Sequence, residues 1–93
     1  MDIDLLSEKL GYDFECSKLQ KESHDLFIEN NFESALIKIN EALKKAKKKQ
    51  LHLCLHLRAQ IYHRLKKFDD AIIDFSKALE IEPTFKYCYF ERA

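Results

Sequence analysis

Three of the four histidines lie close together in the sequence, and their spacing is the first feature that could support chemistry. His52 and His56 are four residues apart, and His63 follows seven residues later, so on a helix the three imidazoles would share a similar face. Imidazole binds metals and titrates near neutral pH. Only His52 and His56 can act as a pair, and a third ligand would have to come from another helix. We therefore predict no metal and no cofactor, and favour histidines that hydrogen-bond a bound peptide over plain surface histidines.

The three cysteines offer a second kind of chemistry. Their number is odd, and Cys16, Cys54 and Cys88 do not have the spacing of metal ligands. Cys54 and Cys88 are separated by 34 residues. We interpret all three as thiols packed in the core, with a redox or disulfide role as the weaker alternative.

Enzymatic chemistry has little support in the sequence. Gly11 is the one glycine, so the chain has no glycine-rich phosphate loop. We find no arrangement of nucleophile, base and acid that a helical fold would bring together. We predict that the protein is not an enzyme and has no catalytic residues or small-molecule substrate.

The elements that position these residues follow from an internal repeat. Residues 32–43 and 68–79 match at an offset of 36, and a third copy begins near Cys88 at an offset of 34. Periods of this size are typical of stacked supersecondary units. In the second copy, apolar or small residues three and four apart lie on both sides of a short turn, which predicts two antiparallel helices. The sequence predicts an all-α fold of antiparallel helix-hairpin repeats, with the small residues Ala35, Ala71 and Ala78 buried between helices.

The second copy has a characteristic series of apolar, small and aromatic residues that ends in a proline: Leu55, Ala59, Tyr62, Phe68, Ala71, Phe75, Ala78 and Pro83. This series resembles the signature of the tetratricopeptide repeat (TPR) family. The first copy is similar but looser, and it lacks the closing proline. Asn30 and Lys66 stand where the family has a turn glycine, so Lys66 should be strained or the turn modified. We predict an N-terminal segment with a short capping helix over 1–15, then a TPR-like domain over 16–93, with repeats at 16–51 and 52–85 and a partial third at 86–93.

The resemblance implies a non-catalytic protein-interaction module, an α-solenoid that acts as a scaffold or adaptor. Proteins of this kind bind a peptide or partner segment in the concave groove formed by the first helix of each repeat. The side chains predicted to face that groove are Gln20, His24, Phe27, Leu53, His56, Leu57, Gln60, His63, Arg64, Tyr87 and Phe90, together with Glu91.

One branch of the family binds the C-terminal carboxylate of chaperone tails with a clamp of Lys, Asn, Asn, Lys and Arg. The matching residues of this chain all differ from the clamp, and they are Gln20, His24, Leu57, Tyr87 and Glu91. A terminal carboxylate would lose hydration with little compensation, and Glu91 would repel it. We therefore predict a co-chaperone-like fold that does not use this clamp.

Charge is segregated along a chain whose formal net charge is zero. The central third is strongly basic, largely through a lysine cluster, which we call the basic patch: Lys44, Lys45, Lys47, Lys48 and Lys49. Cations at the end of a helix complement its dipole, which is the favoured interpretation. The alternatives are a nuclear-localisation or nucleic-acid patch and a surface for an acidic protein segment. Nucleic acid is disfavoured because aromatic residues are not interleaved with the lysines.

The two ends of the chain set the remaining expectations. The N-terminus is acidic and no apolar run is long enough to span a membrane, which favours an intracellular, cytoplasmic protein, with the nucleus as the alternative. The third repeat is incomplete at the C-terminus. We expect either a piece of a longer protein or a chain that buries its last helix against another, and we predict concentration-dependent self-association.

Overall fold

The computed structural model describes residues 13–83, and these residues form four α-helices joined by short turns. The helices are α1 (Phe14–Ile28), α2 (Phe32–Lys45), α3 (Leu51–Arg64) and α4 (Phe68–Ile81). The predicted all-α fold of antiparallel helix hairpins is confirmed. The predicted N-terminal capping helix and partial third repeat, with Cys88 and the groove positions Tyr87, Phe90 and Glu91, lie outside the described residues.

The two hairpin turns have the same backbone geometry. Asn30 and Lys66 have φ angles of 68° and 64°, so both occupy the left-handed region at the position of the family's turn glycine. In each turn, the amide of the next residue donates to a carbonyl five residues back, Asn31 to Leu26 and Lys67 to Tyr62, both at 2.8 Å. This pattern is a Schellman motif, which ends a helix by reversing the chain. The expected strain at Lys66 is therefore real, because a side chain with a β-carbon is disfavoured there.

Small residues at the helix contacts let the helices within each hairpin pack closely. Ala35, Ala71 and Ala78 are each at most 2% exposed, as predicted. Larger side chains fill the space beside them, with Ile39 in the first hairpin and Phe75 in the second, both at most 1% exposed. The alternation of small and large side chains gives close packing without large voids.

The second hairpin packs against the first through α3. The first core cluster contains Cys16 and Ile39 from α1 and α2 together with Cys54 and Ile61 from α3. Leu43 of α2 packs against this cluster and also against the second one, which lies between α3 and α4. The two repeats therefore share a continuous apolar core, as expected of a stacked repeat array.

A polar network crosses the same interface. The guanidinium of Arg58 in α3 donates to both carboxylate oxygens of Asp74 in α4, at 2.7 and 3.0 Å. It also donates to the side-chain oxygen of Asn40 in α2 at 3.0 Å. Asp74 is 2% exposed, and its hydrogen bonds raise the pKa of Arg58 despite the burial of that guanidinium. One side chain of α3 thus fixes the positions of two neighbouring helices.

Candidate peptide-binding groove

An open groove runs between α1 and α3. It contains two adjoining cavities of about 560 and 310 Å³ that share Gln60 as a lining residue. We define the α1/α3 groove by the residues that line these cavities: Ser17, Gln20, Lys21, His24, Phe27, Leu53, His56, Leu57, Gln60, His63 and Arg64. A cavity of several hundred Å³ is in the size range of ligand sites, although this one is open to solvent along its length.

The two helices that form the groove run in the same direction. At one end, Asp13 before α1 is hydrogen-bonded to Gln50 before α3. At the other end, the guanidinium of Arg64 lies 5.5 Å from the ring centroid of Phe27. Because the starts of α1 and α3 are close and their ends are also close, side chains one turn apart on each helix form matching rows along the groove.

All nine predicted groove residues that fall within the described part of the chain line this surface. They are Gln20, His24, Phe27, Leu53, His56, Leu57, Gln60, His63 and Arg64. The sequence interpretation missed Ser17 and Lys21, which also line the larger cavity. Their positions on the same helical face as His24 could have revealed them, since 17, 21 and 24 are separated by one turn. That these side chains contact a ligand remains a prediction.

The floor of the groove is apolar and firmly anchored. Leu57 is 5% exposed and belongs to the first core cluster, whereas Leu53 is 38% exposed. His56 reaches past the groove, because its ring centroid lies 5.6 Å from that of Phe75 in the second core. The histidine is therefore partly a packing residue, and its substitution would disturb α4 as well as the groove.

Aromatic contacts order the end of the groove near the hairpin turns. The ring of His24 stacks on Phe27 with 6.4 Å between centroids, and Phe32 meets Phe27 edge-on at 5.7 Å. Phe27 in turn carries the guanidinium of Arg64 on its face, in a cation–π arrangement. His63 contacts Phe68 edge-on at 5.4 Å, so it lies at the rim. Phe27 is therefore the shared aromatic contact of His24 and Arg64 at this end of the groove.

Two buried thiols lie beneath the groove. Cys16 and Cys54 are free cysteines, both fully buried, and their sulfur atoms are 3.6 Å apart. Burial raises the pKa of both thiols above the ordinary value of 9.0, more strongly for Cys54, whose neighbour Cys16 adds to the effect. The prediction of core-packing thiols is confirmed for these two residues.

The basic patch lies outside this groove. Helix α2 ends at Lys45, so Lys44 and Lys45 are in its last turn, where cations complement the helix dipole. The ammonium of Lys45 lies 2.8 Å from the carboxylate of Glu15, and this contact raises the pKa of Lys45. Lys44, Lys48 and Lys49 are exposed, whereas Lys47 is half-buried. None of the five lysines lines either groove cavity.

Residues 13–83 contain neither a metal-binding cluster nor a membrane-spanning helix. No three His, Cys, Asp or Glu side chains in that range converge in a way that could hold a metal ion. None of the four described helices combines the length and apolar character that a membrane span requires.

The fold and the groove define a class of protein: an all-α helical-repeat protein built from stacked hairpins. The model of the family described as "Tetratricopeptide repeat" matches residues 53–85, so this segment of the chain, which holds most of the second hairpin, is similar to that repeat. Human tetratricopeptide repeat protein 12 is 29% identical over 72 residues, which cover 77% of this chain and 10% of that relative. This chain thus spans about a tenth of the relative's length. No solved structure matches the chain significantly. Proteins with such repeats typically act as non-catalytic modules that bind other proteins.

Proposed function

We propose that this protein is a non-catalytic interaction module that binds an extended peptide or partner segment in the α1/α3 groove. The observation that carries the proposal is the alignment of polar side chains along an open channel with an apolar floor. Gln20 and His24 lie on one wall, Gln60 on the other, and Leu57 below them. Amides and imidazoles both donate and accept hydrogen bonds, so they suit a peptide backbone.

The construction of the groove supports binding with little rearrangement. Both walls are helices fixed to a shared core, and the stacking of His24 on Phe27 restrains a side chain that would otherwise be mobile. A preorganised site loses less conformational entropy when it binds a ligand. Leu53 offers an accessible apolar side chain next to the polar rows, where an apolar residue of the peptide could pack.

A library of random ten-residue peptides displayed on phage, selected against the immobilised protein, tests the proposal. Selected peptides are then titrated against a groove variant, His24→Ala/Gln60→Ala, and a control, Lys48→Ala/Lys49→Ala, that changes two exposed residues outside the groove. We expect the groove variant to bind at least about tenfold more weakly, since two hydrogen bonds to the peptide would be lost.

Circular dichroism of each variant accompanies the titrations, so that loss of binding is not confused with loss of folding. We avoid His56 as a test position because it packs on Phe75. Selected peptides that bind the groove variant as tightly as the unmodified protein would show that the site is elsewhere.

A further inference from the structure

We infer that the α1/α3 groove selects an acidic segment, one that presents two carboxylates about three residues apart. This inference rests on the proposed function and adds the chemistry of the ligand. Its starting point is the composition of the groove: the residues that line it include a lysine, an arginine and three histidines, but no aspartate or glutamate. The described part of the groove therefore favours negative over positive ligands.

The two cations of the groove are not engaged with carboxylates of the described chain. Elsewhere in residues 13–83, Lys38, Lys45 and Arg58 each lie within ion-pair distance of an acidic side chain. Lys21 and Arg64 have no acidic side chain within ion-pair distance among those residues. Both are exposed, so a ligand can reach them. A ligand carboxylate would thus gain a charge-assisted hydrogen bond without breaking an existing ion pair.

Arg64 is held in a geometry that suits this role. The central carbon of its guanidinium lies 5.5 Å from the ring centroid of Phe27, a cation–π contact that supports a planar group of donors. The ring of His24 stacks on Phe27 as well, so an imidazole and a guanidinium share this aromatic neighbour. A carboxylate at this end of the groove would be bound in a fixed orientation, which a flexible surface arginine could not provide.

The separation of the two cations sets the spacing of the ligand's charges. Lys21 is six residues before Phe27 on α1, which corresponds to about 9 Å along the helix axis. Since Arg64 lies over Phe27, the two cations are separated by about this distance along the groove. An extended chain advances about 3.3 Å per residue, so carboxylates about three residues apart would reach both. Leu53, on the opposite wall, is eleven residues before Arg64 on α3, so it lies beyond Lys21 and could contact an apolar residue outside this pair of carboxylates.

The same phage-displayed library provides the test, because its selected sequences report the preferred ligand. We expect aspartate or glutamate to be enriched at two positions about three residues apart. In titrations at low salt, replacing both acids with their amides should weaken binding at least about tenfold, and so should the protein variant Lys21→Gln/Arg64→Gln. When both changes are combined, the losses should not add, because each removes the same interaction.

The control variant is Lys48→Gln/Lys49→Gln, which removes the same charge outside the groove and should weaken binding less than about twofold, since exposed distant charges are screened. If the groove variant and the control variant weaken binding equally, then the overall positive charge of the protein, and not the groove, selects acidic peptides. A single-stranded ten-nucleotide DNA is titrated in parallel, and tighter binding of the DNA than of the selected peptides would also overturn the inference.

The failure of this inference can be told apart from the failure of the proposed function. Selected peptides without acidic enrichment that still depend on His24 and Gln60 would leave groove binding intact and overturn only the acidic preference. Peptides whose binding does not depend on His24 and Gln60, or a selection that yields no binder, would overturn both.

Discussion

The side-chain amide of Gln50 and the backbone of Asp13 exchange two hydrogen bonds, each 2.7 Å long, across 37 residues of sequence. The side-chain nitrogen of Gln50 also donates to Ser17 Oγ at 3.1 Å. The side-chain oxygen of Gln50 accepts a hydrogen bond from the backbone amide of Lys47 at the same distance. Gln50 is only 2% exposed. A single buried side chain thus ties the start of α1 to the turn before α3, and it sets one end of the groove.

Replacing Gln50 with alanine should destabilise the fold substantially. The change leaves two backbone groups of Asp13 without these partners and opens a space at a buried site, so we expect a loss of about 2–3 kcal/mol in the free energy of unfolding. Urea denaturation followed by circular dichroism measures it. Gln60→Ala is the matched control, because Gln60 is half-buried in the groove, and its effect should stay within about 0.5 kcal/mol.

Replacing Lys66 with glycine should stabilise the fold. Lys66 has a φ angle of 64°, a conformation that glycine adopts without the steric cost of a β-carbon. We expect a gain of about 0.5–1 kcal/mol, seen as a higher midpoint of thermal unfolding. Asn30→Gly tests the equivalent turn and should gain less, because asparagine tolerates this conformation better than lysine. A larger gain at Asn30 than at Lys66 would contradict this explanation.

The ion pair between Arg58 and Asp74 should contribute far more than its counterpart in the first repeat. At an offset of 36 residues, Glu22 and Lys38 occupy the same positions with the charges reversed, and their charged atoms are 3.6 Å apart. The side chains of that pair are 41% and 37% exposed, whereas the side chain of Asp74 is 3% exposed. Burial and the two-point contact distinguish the second pair.

We therefore expect Arg58→Met to cost about 2–3 kcal/mol in the free energy of unfolding, because it leaves Asp74 charged and buried. Glu22→Met at the equivalent position should cost less than about 1 kcal/mol. Both are measured by urea denaturation. Adding Asp74→Leu to Arg58→Met should recover part of the loss, since an apolar residue replaces the uncompensated charge. Equal costs for the two single variants would argue against the role of burial.

Stability should fall when the pH rises above about 9.0. Because the pKa of Cys16 and Cys54 is raised in the folded protein, the folded chain keeps thiol protons that the unfolded chain releases above that pH. The contribution of the two thiols is therefore complete below pH 9.0 and declines above it. Urea midpoints between pH 7 and pH 10 measure this decline. The variant Cys16→Ala/Cys54→Ala, although less stable throughout, should show a shallower one.

The repeat period predicted most of the fold because the fold consists of short-range units. The positions of Ala35, Ala71 and Ala78 identified the helix contacts, and the alignment of the two copies placed Asn30 and Lys66 at equivalent turns. In the groove, the resemblance indicated the helix faces that line the cavities between α1 and α3. The period and the resemblance therefore predict the features that both repeats share.

The features that escaped prediction do not recur between the copies. Gln50 bonds to atoms 33 and 37 residues away, and no equivalent glutamine in the other repeat marks its role. The pairing of Arg58 with Asp74 was not predicted, because the equivalent residues of the first repeat, Glu22 and Lys38, carry the reverse charges. Lys21 was missed because the resemblance assigned its neighbour, Gln20, to the groove. Such contacts depend on which helices become neighbours, which the sequence pattern does not specify.

The reversed charges of the two hairpins also determine which helices can pair. Suppose that the two hairpins exchanged helices, so that α1 packed against α4. Glu22 would then face Asp74, which occupies the position of its normal partner, Lys38. The complementary exchange of α3 with α2 would set Arg58 against Lys38. Both wrong pairings bring like charges together, one of them at the buried position of Asp74. The reversed charges thus disfavour an exchange of partners between two hairpins that have nearly the same apolar pattern.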